Sequence, residues 1–193
     1  MAVRRYYLWN MGCQMNRADG YRARERLESL GYLPIDRPEE ASVLVLNTCV
    51  VRQSAEDKAV GRLHSLRPLM NDGPDRTLIV MGCYVDGDTA ALHARFPYVD
   101  AFLPPSDVSG LEAQVRAWEQ ERWPGPCAHG EPVTRPQVAD LVPISYGCDH
   151  HCTYCIVRLR RGPQRSLAVP EIVAEARRLV ADGAREVTLL GQN

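Results

Sequence analysis

Lysine is almost missing from this chain: Lys58 is the only one, although Lys and Arg together number 23. An arginine skew can serve phosphate recognition, but we read it first as genomic base composition. A strong field of one sign is missing too. The formal net charge is −1, so no global basic surface announces a nucleic-acid-binding domain. No apolar run is long enough to span a membrane. Met1 to Asn10 holds arginines and aromatics without a sustained apolar core, so no signal peptide is expected. A cytoplasmic location is the expectation that follows.

What is present suffices for folding. The 193 residues are 45% hydrophobic, enough for a core in one large or two modest domains. The component that needs a reason is cysteine, with seven residues. The number is odd, and a chain this long and apolar needs no disulfide staples. Metal or redox chemistry is the better reading.

Three segments of the N-terminal half share one pattern. Tyr6-Tyr7-Leu8-Trp9 leads to Gly12-Cys13, Val43-Leu44-Val45-Leu46 to Asn47-Thr48-Cys49, and Leu78-Ile79-Val80-Met81 to Gly82-Cys83. Each is a short apolar run of the kind a buried parallel strand shows. A helical segment follows each: Asp19 to Leu30 closed by Gly31, Ser54 to Leu66 with Ser54 and Asp57 as a capping box, and Asp88 to Phe96 stopped by Pro97. The alternation predicts an α/β domain with a mainly parallel sheet flanked by helices. Ligands of such sheets bind beyond the carboxyl ends of the strands. Cys13, Cys49 and Cys83 all fall there, so they can converge on a metal; three separate buried cysteines are the plain alternative.

Pro104-Pro105-Ser106-Asp107 punctuates the chain, and Val108 to Arg122 reads as an amphipathic helix with Val108, Leu111, Val115 and Trp118 on one face. Trp123-Pro124-Gly125-Pro126 breaks it, and Cys127 to Gln137 has the composition of a linker. Cys127, near His129, reads as a free thiol.

Beyond the linker, Leu141 to Ser145 reads as a strand running into Tyr146-Gly147-Cys148-Asp149-His150-His151-Cys152-Thr153-Tyr154-Cys155. Three thiolates spaced C-x3-C-x2-C can take three corners of a cubane cluster and leave one iron open. Zinc competes, because His150 or His151 would complete a four-ligand site. Zinc ligands usually come as two separated pairs, and no second pair lies downstream. A zinc-stabilised RNA-binding module without catalysis is therefore the alternative of another class. Val169 to Asp182 reads as a helix capped by Gly183, and Val187 to Leu190 as a second strand.

The C-x3-C-x-aromatic-C loop after a strand resembles the radical S-adenosylmethionine (SAM) enzymes. Arg161-Gly162, Arg165-Ser166 and Glu186-Val187-Thr188-Leu189-Leu190-Gly191-Gln192-Asn193 extend the likeness to the methylthiotransferase family. In the N-terminal half, Gly12-Cys13-Gln14-Met15-Asn16, Asn47-Thr48-Cys49-Val50-Val51-Arg52, Ala55-Glu56, Lys58 and Gly82-Cys83 match the same family. Within it the chain looks most like the MiaB-type tRNA methylthiotransferases. The ribosomal-protein and threonylcarbamoyl-adenosine branches are the alternatives.

The resemblance implies two [4Fe–4S] clusters and SAM as cofactors. Cys148, Cys152 and Cys155 would hold the SAM-cleaving cluster, and Cys13, Cys49 and Cys83 an auxiliary cluster that carries or donates sulfur. Tyr154 would lie near the adenine of SAM, and Gly191, Gln192 and Asn193 at the strand end that meets its methionine part. One SAM would supply a methyl group. Another would yield a deoxyadenosyl radical that takes hydrogen from C2 of an isopentenyl-adenosine beside the tRNA anticodon. The partner implied is that tRNA; the sulfur and electron donors stay unnamed, and a monomer is expected. Two positions depart from the family: Ile156-Val157-Arg158-Leu159-Arg160 replaces a usual Val-Pro-Tyr, and Leu167 stands where arginine is common. Arg158, Arg160, Arg161 and Arg165 are candidates for RNA phosphate contact, with a solvated loop as the alternative.

The organisation expected is an N-terminal methylthiotransferase domain over 1–105, a helix and linker over 106–139, and the first βαβ portion of a radical SAM barrel over 140–193. Two strands cannot close a barrel, so the chain is expected to be an N-terminal fragment, inactive alone.

Overall fold

The structure is a computed structural model that describes residues 4–71, 75–122 and 138–192. Trp123 to Gln137, with Cys127 and His129, and Asn193 lie outside the described residues. The chain first forms β1 (Arg5–Asn10), α1 (Gln14–Ser29), β2 (Leu33–Pro34), β3 (Val43–Thr48), α2 (Gln53–Asn71), β4 (Thr77–Gly82), α3 (Thr89–Arg95), β5 (Ala101–Leu103) and α4 (Val108–Arg122). The strands make one parallel sheet in the order β2-β1-β3-β4-β5.

Alternation along each strand divides the core. Leu44 and Leu46 of β3 and Leu78 and Val80 of β4 face one side, where Leu63, Leu66, Leu92 and Phe96 of the α2 and α3 region cover them. Val43, Val45, Ile79 and Met81 face the other, under Ala23 and Leu27 of α1 and Leu111, Val115 and Trp118 of α4. β3 and β4 are buried along their whole length. That is why they read as continuous apolar runs and not as alternating ones.

The helix ends mix agreement and correction. Gly31, at φ +85, follows α1 as its left-handed terminator, and Asp88 caps α3 by accepting from the Ala91 N–H at 3.0 Å. The capping box expected at Ser54 does not form. The helix starts at Gln53, whose side chain donates to Asp57 at 3.0 Å. α2 also runs past Leu66 and through Pro68 to Asn71. β2 and β5 are too short to announce themselves.

The second part comprises β6 (Ala139–Pro143), β7 (Ser145–Tyr146), α5 (Val157–Arg161), β8 (Arg165–Ser166), α6 (Val169–Ala181) and β9 (Glu186–Leu190). β6 and β9 pair in parallel, and α6 packs Leu179 on Val142 and Ala184. The single strand expected over Leu141 to Ser145 is split. Ile144 still donates to the Leu190 carbonyl at 2.7 Å but accepts from the Leu167 N–H at 2.9 Å, so the chain changes partners there. β7 then pairs antiparallel with β8.

The two parts pack through α1. Met15 and Ala18 join Tyr146 and Leu190 in one cluster, the Arg22 guanidinium donates to the Tyr146 hydroxyl, and Arg178 pairs with Glu25 at 3.0 Å. Among the described residues no helix is long and apolar enough to cross a membrane.

Candidate functional site

The sheet order places β1 between β2 on one side and β3 on the other, so the winding direction reverses between β1 and β3. In open α/β sheets that reversal opens a crevice at the carboxyl ends, where ligands bind. Asn10 pairs with Asn47, and Thr48 with Gly82, at those ends. Cys13, Cys49 and Cys83 follow immediately on three adjacent strands. Cys13 is exposed, while Cys49 and Cys83 are buried.

Two glycines let the three loops approach. A Cβ at Gly12, φ +132, would stand 2.6 Å from the Cys49 Cβ and 3.0 Å from its Sγ. One at Gly82, φ +99, would stand 2.7 Å from the Asn47 Oδ1. Only glycine fits either place.

Amide side chains form the floor beneath the thiols. The Asn16 Nδ2 donates to the Thr48 carbonyl at 2.6 Å and the Met11 carbonyl at 3.0 Å. The Asn47 Nδ2 donates to the Asn10 Oδ1 at 2.9 Å and the Asn16 carbonyl at 2.7 Å. The Cys83 thiol donates to the Asn16 Oδ1 at 3.8 Å. Burial pushes the Cys83 thiol up; the Arg161 guanidinium opposes this, while Cys49 and Cys13 as like charges add to it. A metal would therefore have to displace a tightly held proton.

The second set sits on the loop enclosed by the β7–β8 hairpin. Gly147 begins it at φ +70, where a Cβ would clash with the carbonyls of Gly162 and Pro163. The Cys148 N–H donates to the Gly162 carbonyl at 3.1 Å, and the Cys155 N–H to the Cys152 carbonyl at 3.0 Å. Cys148 is buried, whereas Cys152 and Cys155 are exposed. The Gln192 side chain accepts from the Gly147 N–H at 2.8 Å, which ties the end of β9 to the base of this loop. Gly191 lies beside it at the surface, and the Tyr154 ring is 91% exposed.

Neither set is gathered around one point: among the described residues no three His, Cys, Asp or Glu side chains could hold a single metal ion. A four-iron cube is a larger body that takes one thiolate per iron. The donor chemistry fits it twice, with three sulfurs at each place.

The arginines separate into different roles. Arg161, whose side chain is only 3% exposed, pairs with Asp19 at 2.9 Å and is unavailable to RNA phosphate. Arg160 pairs with Asp86 at 3.2 Å, and Arg165 lies over the Tyr146 ring at 5.5 Å. Arg158 is exposed. Asp19 and Ser106 had no signal in the sequence. An acid in a helix looks solvated until the tertiary fold buries it.

The fold and its cysteines define an α/β protein whose thiols stand at the ligand-binding end of a parallel sheet, joined to a cysteine-loop βαβ unit. The chain belongs to the uncharacterized protein family UPF0004, whose sequence model matches residues 5–104. The model of the Radical SAM superfamily matches residues 142–193. Similar curated proteins bear the name tRNA-2-methylthio-N(6)-dimethylallyladenosine synthase. One from Roseiflexus sp. (strain RS-1) is 44% identical, with 98% of this chain and 40% of the relative covered. One from Chloroflexus aurantiacus is 43% identical over 98% of this chain and 41% of the relative. One from Geobacillus kaustophilus is 38% identical over 98% and 38%. The chain thus spans about two-fifths of the length of the curated relatives it matches.

Proposed function

We propose that this chain is part of a radical SAM methylthiotransferase that inserts a methylthio group at C2 of isopentenyl-adenosine beside the anticodon of tRNA. The observation that carries the reading is the pair of three-cysteine sets, one at the sheet's ligand end and one on the β7–β8 loop, in a single packed body. The names borne by the similar proteins supply the substrate.

Cys148, Cys152 and Cys155 hold one [4Fe–4S] cluster in this reading, and Cys13, Cys49 and Cys83 the other. When bound, the first supplies the electron for reductive SAM cleavage and the second supplies or carries the sulfur. The protein's own residues do the positioning. Gly147 and Gly162 fold the cysteine loop tightly onto itself. Gln192 anchors the loop to the end of β9, and with Gly191 it would face the methionine part of SAM. Tyr154, whose ring is exposed, would be the residue that meets the adenine. The Asn16–Asn47 floor holds the three N-terminal loops at one spacing.

The test uses the full-length enzyme, anaerobically reconstituted and supplied with isopentenylated tRNA. Replacing Cys13, Cys49 and Cys83 by alanine should abolish sulfur insertion and leave SAM cleavage intact. Loss of both activities together with all iron would mean one shared site and refute the assignment.

A further inference from the structure

Arg161 comes from the second part of the chain but ends inside the first. It is the last residue of α5, and Gly162, at φ +74, turns the chain immediately after it. The Gly162 carbonyl accepts the Cys148 N–H. The residue that carries the guanidinium is therefore bonded directly to the one that fixes the first cysteine of the C-terminal set.

At its other end the guanidinium meets the N-terminal set. It donates to the Asn16 Oδ1 at 2.6 Å, the Asp19 Oδ2 at 2.9 Å and the Ser106 Oγ at 3.2 Å. The Asn16 Oδ1 is the same oxygen that takes the Cys83 thiol hydrogen. The guanidinium and the Cys83 thiol therefore share one acceptor, which holds the cation near that sulfur. The Ser106 hydroxyl donates in turn to the Asp19 Oδ1 at 2.7 Å, from a backbone at φ +66 that serine rarely adopts. A strained serine and a fully buried aspartate thus orient one arginine. Buried ion pairs return little net stability, so position is the better account of this one.

We propose that Arg161 is a positioning residue for the N-terminal thiol set: its guanidinium is the fixed cation that shares the Asn16 Oδ1 with the Cys83 thiol, and it sets the charge environment of the cluster held there. The proposal rests on the reading that Cys13, Cys49 and Cys83 hold a cluster. A cation close to the thiolates favours the reduced, more negative cluster. Asp19 works against it and moderates the effect.

The test is an EPR-monitored reductive titration with dithionite of the iron-loaded full chain. Cys148, Cys152 and Cys155 are replaced by alanine, so that only the N-terminal cluster is read. Arg161→Gln should lower the equilibrium constant for one-electron reduction about tenfold, a shift of about 59 mV to more negative potential. Arg161→Lys should stay closer to the parent. Asp19→Asn, which keeps Arg161 and removes its counter-charge, should move the potential in the opposite direction. A merely structural role would not give opposite signs. If Arg161→Gln does not fold, the Asp19→Asn shift decides alone. Normal iron content with unmoved potentials, or a lowered potential in Asp19→Asn, would overturn this proposal and leave the cluster assignment standing. Failure of the parent chain to load iron on this set would overturn both.

Discussion

The Arg161 guanidinium donates to the Asn16 Oδ1 at 2.6 Å across 145 positions of sequence. One hydrogen bond therefore connects the helix that follows Cys13 to α5, which follows the cysteine loop. Its neighbour, the Arg161–Asp19 ion pair, is buried, with side chains 3% and 0% exposed.

That burial predicts a large penalty for breaking the pair. Asp19→Ala leaves the guanidinium without its counter-charge in a dry place and should destabilise the fold by about 3–5 kcal/mol. Urea unfolding of the two chains at neutral pH measures it. A loss under about 1 kcal/mol would mean that water reaches the site.

Metal content follows from the two thiol sets. The anaerobically reconstituted chain should be brown and carry about eight irons, four in each cube. Replacing either set of three cysteines by alanine should halve that number. Zinc at one or two atoms per chain without iron would rule the reading out.

Gly147→Ala tests the loop backbone. Its φ of +70 costs an L-residue about 1–2 kcal/mol. The new Cβ also meets the carbonyls of Gly162 and Pro163, which are backbone and cannot step aside. Iron held by Cys148, Cys152 and Cys155 should fall sharply, with the N-terminal iron retained. Unchanged C-terminal iron would show that the loop tolerates another path.

On the acid side, the hydrogen bond from Arg178, seconded by its charge, holds the Glu175 carboxyl below the ordinary carboxylate range. A folded-state pKa below the unfolded one contributes stability that is present above the unfolded value, about 4.3. That contribution is lost as pH falls through the folded value. Arg178 also pairs with Glu25 of α1, so the residue that lowers Glu175 also joins the two parts. Arg178→Met should flatten the fall in stability below about pH 4.3 and cost under about 1 kcal/mol at pH 7, because the pair is partly exposed. Parallel acid-unfolding curves of the two chains would contradict the assignment.

Local pattern alone determined much of this protein. Two fully buried strands, β3 and β4, announced a parallel sheet because residues covered on both faces are apolar without alternation. Helix α4 was legible to the residue, Val108 to Arg122, from its apolar stripe and the proline that follows. The cysteine loop was legible because its three thiols lie within eight consecutive residues, Cys148 to Cys155. Tertiary structure decided what no local window contains. The split of the strand at Ile144 depends on a distant partner, Leu167. Asp19, Asn16, Ser106 and Arg161 meet only because α1 packs against the second part. A charged side chain in a sequence reads as solvated, and only the three-dimensional neighbourhood, by removing water and supplying its partner, turns it into an internal fixed charge.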